Sequence, residues 1–176
     1  MPELLIGCGQ DRQKKLGLKN KESWENLITL DSNPDHNPDI LLDLESIVLP
    51  FENDFLDEIH AYDVLEHTGR QGDWRFFFNQ WSEFWRVLKP GGIFAAVVPS
   101  ITGQWAWGDP GHTRVISLGS LSFLSQPHYA EQVGKTPMSD YRHIYKADFD
   151  LVFDGNPNPE QFWFVLQAVK PSRIAK

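Results

Sequence analysis

Cysteine is nearly absent from this chain. Cys8 is the only one, so no internal disulfide can form and a reducing, cytoplasmic setting is expected. Long apolar runs are missing too. None approaches the roughly 18 residues needed to cross a membrane, and the N-terminus lacks a charged-then-apolar leader. Positive charge is scarce: 16 Lys and Arg face 24 Asp and Glu, for a net charge of −8. A nucleic-acid backbone is recognised by clustered cations. The one basic stretch, Arg12 to Lys21, is short and diluted with Gly and Asn. Nucleic acid and membrane are therefore not the expected partners, and a small-molecule substrate is. Internal repeats, low-complexity tracts and domain linkers are also lacking. Nothing in the sequence speaks to oligomeric state.

What is present is apolar and aromatic. The hydrophobic fraction is 41%, with 7 Trp, 4 Tyr and 12 Phe in 176 residues. That composition and length fit one packed domain spanning residues 1–176.

The chemistry begins at Leu4-Leu5-Ile6-Gly7-Cys8-Gly9. A buried strand over residues 3–7 breaks into a Gly-x-Gly turn, where a ligand can approach the backbone. A second strand, 27–31, ends in Asp31. A glycine turn after one strand and an acid at the end of the next is a layout for holding a nucleoside, the carboxylate accepting from ribose hydroxyls. Turn residues Ser32 to Asp39 follow, then a short strand at 40–42 ending at Asp43. Alternation around Ile59 and Ala61 predicts a fourth strand with Asp63 at its end.

Asp73 is an N-cap for a helix over 73–89, whose Trp74, Phe77, Phe78, Trp81, Phe84, Trp85 and Leu88 recur at helical spacing. That stripe reads as core rather than as a ligand cage. Lys89-Pro90-Gly91-Gly92 stops the helix, and 93–98 is a fifth strand. A long connection, Ser100 to Val115, carries Trp105, Trp107, His112 and Arg114. Loops of this length tend to carry function. A short helix is expected within 118–126. Strands at 149–154 and 161–169 flank a turn, Asp154 to Pro159, and form a hairpin. The sum is an α/β fold: a mostly parallel sheet with an antiparallel C-terminal hairpin, one face thinly covered because the first crossovers are short.

Four segments together resemble the class I S-adenosylmethionine-dependent methyltransferases, in a small branch starting directly at the glycine motif. They are Leu5-Ile6-Gly7-Cys8-Gly9; Asp31-Ser32-Asn33-Pro34; Leu49-Pro50-Phe51 through Asp63-Val64-Leu65-Glu66-His67; and Phe84-Trp85-Arg86-Val87-Leu88-Lys89-Pro90-Gly91-Gly92. They stand in family order across residues 3–99. The resemblance implies a seven-stranded Rossmann-like sheet and S-adenosyl-L-methionine as cofactor. Gly7, Cys8 and Gly9 would line its methionine part, and Asp31 would hold its ribose hydroxyls, with Ser32 and Asn33 bordering the cofactor in the same turn. Asp43 and Leu44 would flank the adenine; Asp63 and Val64 would face cofactor and substrate. Two positions depart from the family: Leu5 stands where an acid usually lies, and Asp11 where a third glycine often does. Asp109-Pro110-Gly111-His112 looks like an Asp-Pro-x-His segment of related enzymes.

The implied reaction is methyl transfer to an O, N or C nucleophile of a small or sugar-like acceptor. His67 and His112 are candidate bases. Glu66, Trp105, Trp107 and Tyr129 are candidate substrate contacts. Cys8, after a buried strand, reads as packing rather than as a nucleophile. Three other readings compete. A non-catalytic, methyltransferase-like scaffold would explain Leu5 and Asp11. A nicotinamide oxidoreductase would want glycine at position 12, which is Arg. A zinc enzyme built on Asp63-x-x-Glu66-His67 lacks the histidine that the inverted zinc motif places at 63, so no metal is expected.

Overall fold

The computed structural model describes residues 1–17, 23–46 and 48–174. Part of the basic stretch from Arg12 to Lys21 thus lies outside the described residues.

Among the described residues, seven strands form one sheet: β1 (Pro2–Ile6), β2 (Asn26–Asp31), β3 (Ile40–Leu41), β4 (Leu56–Tyr62), β5 (Leu88–Pro99), β6 (Phe149–Asn158) and β7 (Gln161–Ala168). Their order is β3-β2-β1-β4-β5-β7-β6. The first five pair in parallel, and β7 runs antiparallel between β5 and β6. The chain reverses direction across the sheet between β1 and β4, and open α/β sheets bind ligands beyond the strand ends at that point.

One long helix, α1 (Trp74–Val87), packs on the sheet. The Asp73 carboxylate accepts the Phe76 N–H at 3.0 Å and starts it. Trp81 and Phe84 are buried and meet Phe94 of β5 with ring centroids 4.9 and 4.7 Å apart. The aromatic stripe is core, as its spacing predicts. Three short helices follow: α2 (Trp105–Gly108), α3 (Leu118–Leu121) and α4 (Gln126–Gln132).

Some boundaries move. The helix stops at Val87, because Leu88 is already extended and β5 starts there. Lys89-Pro90-Gly91-Gly92 is the entry of a strand, with Gly91 at φ 77°. Strand β6 runs to Asn158, through the segment expected to turn, and the turn is Pro159-Glu160. Pro157 is tolerated because β6 is an edge strand, pairing only with β7.

The two faces of the sheet are built differently. Leu4, Ile6, Ile59, Ala61, Phe94, Ala96 and Val98 join the large apolar core on the α1 side. Their neighbours point the other way, as a period of two requires. There Leu5, Cys8, Tyr62 and Val97 pack with Leu16 and Trp24. Beside them lies a buried ionic chain. Lys14 Nζ stands 3.0 Å from Glu3 and 2.6 Å from Glu58. Glu58 lies 2.8 Å from His60 Nε2, and His60 Nδ1 is 2.7 Å from the Tyr62 hydroxyl. Burial alone would raise the Glu58 carboxyl, but hydrogen bonds with His60 and Lys14 outweigh it and hold it at about 2. Burial pushes His60 below its ordinary value despite Glu58. Among the described residues this thinly covered face is closed by the segment 10–17 and Trp24.

Candidate functional site

A cleft of about 460 Å³ opens beyond the C-terminal ends of β1, β2 and β4. That volume is within the range of small-molecule sites. Gly7, Cys8, Gly9, Asp31, Ser32, Asp43, Leu44, Asp63, Val64 and His67 all line it.

Its floor is the glycine turn. Gly7 and Gly9 both have positive φ, 58° and 52°, where a side chain is disfavoured. They differ in what surrounds them. A Cβ on Gly7 would meet Val64 Cγ2 at 2.4 Å, whereas one on Gly9 would meet no protein atom within 4 Å. Gly7 is therefore held by packing, and Gly9 borders open cleft. Cys8 donates its N–H to Leu30 at 3.2 Å, and burial raises its thiol pKa. Its role is packing against Leu5, as its position suggests. Asp11 needs no positive φ; its carboxylate accepts the Gln13 N–H at 3.0 Å and forms a tight turn of its own.

The Asp31 carboxylate faces the cleft at the end of β2. One oxygen accepts the Gly9 N–H at 2.9 Å, and the other the Asn33 N–H at 2.8 Å. Burial pushes this carboxyl up, but the two amide donors prevail and its pKa is lowered. An ionised carboxylate accepts about four hydrogen bonds, so acceptor capacity remains. His36 Nδ1 lies 3.0 Å from Asp31. Asn33 is not part of the lining. Its side chain caps the turn Pro34–His36 by accepting the Asp35 N–H. Asp43 likewise closes a turn, accepting the Glu45 N–H at 3.0 Å, while bordering the cleft.

Asp63 follows β4 at φ 54°, a strained conformation for a residue with a side chain. It borders a second hollow of about 440 Å³ formed with Glu66, Pro99, Trp105, Asp109, His112, Asn158, Glu160 and Gln161. Burial raises the Asp63 carboxyl above its ordinary value, although the side chain keeps 47% of its surface. Glu66 is buried, and desolvation pushes it to about 7. Neither Glu66 oxygen has a hydrogen-bond partner among the described residues. The His67 and His112 rings stand edge to face, with centroids 4.7 Å apart.

The loop reaches this place because Thr113 and Arg114 both donate backbone N–H groups to the Glu66 carbonyl, at 2.9 and 3.3 Å. The β6–β7 turn holds its other end, the Glu160 carboxylate accepting the Gln104 N–H at 3.1 Å. Two expected substrate contacts lie elsewhere. Tyr129 is fully buried, and its hydroxyl bonds Ser139 and Tyr141. Trp107 is 70% exposed and borders neither hollow. Trp105 does border the second.

Lys15, His36 and Glu160 escaped the sequence reading. Lys15 lines the cleft, with Nζ 3.9 Å from Asp63. It sits in the polar run after Gly9, a signal that spacing from the turn makes usable. Glu160 occupies a hairpin tip, and nothing local marks it.

No protein-family model matches the sequence, and no curated protein matches it. Solved structures do match in fold. An S-adenosylmethionine-dependent methyltransferase from Archaeoglobus fulgidus superposes with a TM-score of 0.59 at 15% identity, covering 94% of this chain and 85% of that one. One from Aquifex aeolicus has the same TM-score and identity, over 96% and 82%. A third, from Mesorhizobium loti, has a TM-score of 0.53 at 12% identity, over 94% and 89%. The fold, with its antiparallel β7 between β5 and β6, is that of the class I S-adenosylmethionine-dependent methyltransferases.

Proposed function

We propose that this protein binds S-adenosylmethionine in the 460 Å³ cleft and transfers its methyl group to a small, hydroxylated acceptor in the second hollow. The observation that carries the reading is Asp31. Its carboxylate stands at the end of β2, held by the Gly9 and Asn33 amides, with capacity left for ribose hydroxyls.

Gly7 to Gly9 would receive the methionine portion, with Asp43 and Leu44 beside the adenine. Leu5 cannot anchor the methionine ammonium. Asp63 and Lys15 offer the opposite charges that its ammonium and carboxylate require, at the same end of the cleft. The sulfonium is already activated, so the chain chiefly supplies alignment and exclusion of water. An O–H acceptor must lose its proton; Glu66, His67 and His112 are the groups placed to take it or to lower its affinity. The acidic chain and its acidic hollows favour a small molecule over nucleic acid.

S-adenosylhomocysteine at a hundredfold excess over its dissociation constant should stabilise the fold by about 2.7 kcal/mol, read as a rise in Tm. NAD should not. Asp31→Ala should weaken binding by about a hundredfold or more, since charge-assisted hydrogen bonds contribute about 1.5–3 kcal/mol each. No shift at millimolar S-adenosylhomocysteine would overturn the proposal. Binding without turnover across a broad acceptor panel would favour the scaffold reading.

A further inference from the structure

Glu66, His67 and His112 each offer a ligand atom, and these atoms all lie within 4.8 Å of one another. His112 comes from the loop after β5, fastened to Glu66 through Thr113 and Arg114. Two further facts single the trio out. The Glu66 side chain is only 2% exposed, yet neither oxygen has a hydrogen-bond partner among the described residues. Neighbouring Arg114 does not supply one, because its guanidinium donates to Leu65, Thr68 and Gln80. A buried carboxylate left so costs several kcal/mol. In addition, both imidazoles have Nδ1 against a backbone carbonyl: His67 on Gly111 at 3.1 Å, His112 on Trp105 at 2.7 Å. A ring that gives its Nδ1–H to a carbonyl carries its lone pair on Nε2, which is how metal-ligating histidines are oriented.

We infer that Glu66, His67 and His112 form a binding site for one divalent transition-metal ion at the boundary of the two hollows. Two imidazoles and one carboxylate suit zinc, iron, cobalt or manganese better than magnesium or calcium, which prefer all-oxygen ligands. Metal–ligand distances of about 2.0–2.2 Å put neighbouring donors about 3 Å apart, so small side-chain rotations draw the trio in. Asp63 and Asp109 both add negative potential, the Asp109 carboxylate 3.8 Å from His112 Nε2. Three protein ligands leave coordination positions open toward the second hollow.

Resting on the methyltransferase reading, the ion has a definite use. It binds an acceptor hydroxyl and lowers its pKa, so that the proton leaves to water. The metal-bound oxyanion's lone pair then forms the O–CH3 bond as the C–S bond breaks, releasing the neutral thioether. His67 and His112 are in that case ligands and not bases.

Cobalt(II) added to chelator-stripped full-length protein tests this by calorimetry and by the visible absorption of the bound ion. One equivalent should bind, and zinc should displace it. His112→Ala and Glu66→Gln should each weaken binding at least tenfold. His143→Ala, at an exposed site outside the trio, should leave it unchanged. Glu66→Gln should also raise the Tm of the stripped protein, since an unpaired carboxylate is removed. S-adenosylhomocysteine shifts, measured alongside, show that the variants are folded. If His112→Ala does not fold, His112→Asn replaces it. Stoichiometric cobalt binding unaffected by these substitutions, or none in the wild type, would overturn the site. Cobalt binding without a nucleoside shift would leave the metal site standing and remove the methyltransferase reading; the converse would do the reverse.

Discussion

The two hollows around Asp63 are made of different materials. The first has a floor of main chain, a glycine turn whose Gly9 amide meets Asp31 at a strand end, with Asp43, Asp63 and Lys15 around it. Its outer wall, residues 10–17, is anchored through its own buried Lys14 to Glu3 and Glu58 and donates two N–H groups to the Tyr62 hydroxyl, at 3.1 and 3.2 Å. The second is made of side chains carried by three separate segments: the turn after β4, the loop after β5 and the β6–β7 turn. A site of main chain is set by the sheet, and tolerates change only where a Cβ fits. A site of side chains depends on loops, and can be rewritten without touching the sheet.

The largest effect should come from the support of the first wall. Glu58→Gln takes one carboxylate from Lys14 and should cost about 3–5 kcal/mol in urea unfolding at neutral pH, the usual result of breaking a buried ion pair. The pH dependence has a defined sign. Glu58 titrates near 2 when folded against an ordinary 4.5, so its contribution is complete above 4.5 and disappears as pH falls toward 2. His60 is also depressed below its ordinary 6.5, so the unfolded chain takes up the extra proton and stability falls as pH drops below 6.5. Wild-type Tm should therefore decline on acidification. Glu58→Gln should flatten the segment between pH 4.5 and 2. A flat wild-type profile would break the link between ionic chain and wall.

Next in size is a contrast inside the glycine turn. Gly7→Ala meets both a positive φ and Val64, and should cost about 2–4 kcal/mol of stability. Gly9→Ala meets only the positive φ and should cost about 1–2 kcal/mol. Yet Gly9→Ala should be the one that weakens S-adenosylhomocysteine binding out of proportion to its stability loss, because its methyl enters the cleft. Equal stability losses would show that the turn relaxes around Val64.

Much of the first hollow could be read in advance. Gly7, Gly9, Asp31 and Asp63 are legible because each sits where an apolar run ends, and strand ends in a parallel sheet share one edge. The mostly parallel sheet with its antiparallel C-terminal hairpin followed from the same runs; the strand order did not. Asn33 misled because turn-forming residues and lining residues look alike in sequence; here its amide is spent on the cap. The second hollow was legible only in fragments. His67 and His112 are forty-five positions apart, and no periodicity joins them; the Glu66 carbonyl does, by hydrogen bonds that pattern cannot show. Tyr129 misled for the same reason. An aromatic in a loop-rich region could face a pocket or plug the core, and its hydroxyl's partners Ser139 and Tyr141 decide for the core. The short helices α2, α3 and α4 carry too few residues for a 3.6 period to emerge.

Smaller effects test the outer limits of the second hollow. Tyr129→Phe removes a buried hydroxyl with two partners and should cost about 1–2 kcal/mol of stability with KM unchanged. Trp107→Ala should lie within about 0.5 kcal/mol in stability, with kcat/KM for any identified acceptor unchanged, since the ring is mostly in solvent. A KM effect from either would extend the hollow beyond its present walls.

Asp63 belongs to both hollows at once. One charge bordering two sites is a thermodynamic coupling: whatever cation pairs with it on one side lessens its pull on the other. Linkage makes that coupling reciprocal, so the occupant of the second hollow alters affinity in the first by the same factor. The two ligands then cannot be titrated independently, and Asp63→Asn should bring their binding isotherms closer to additivity.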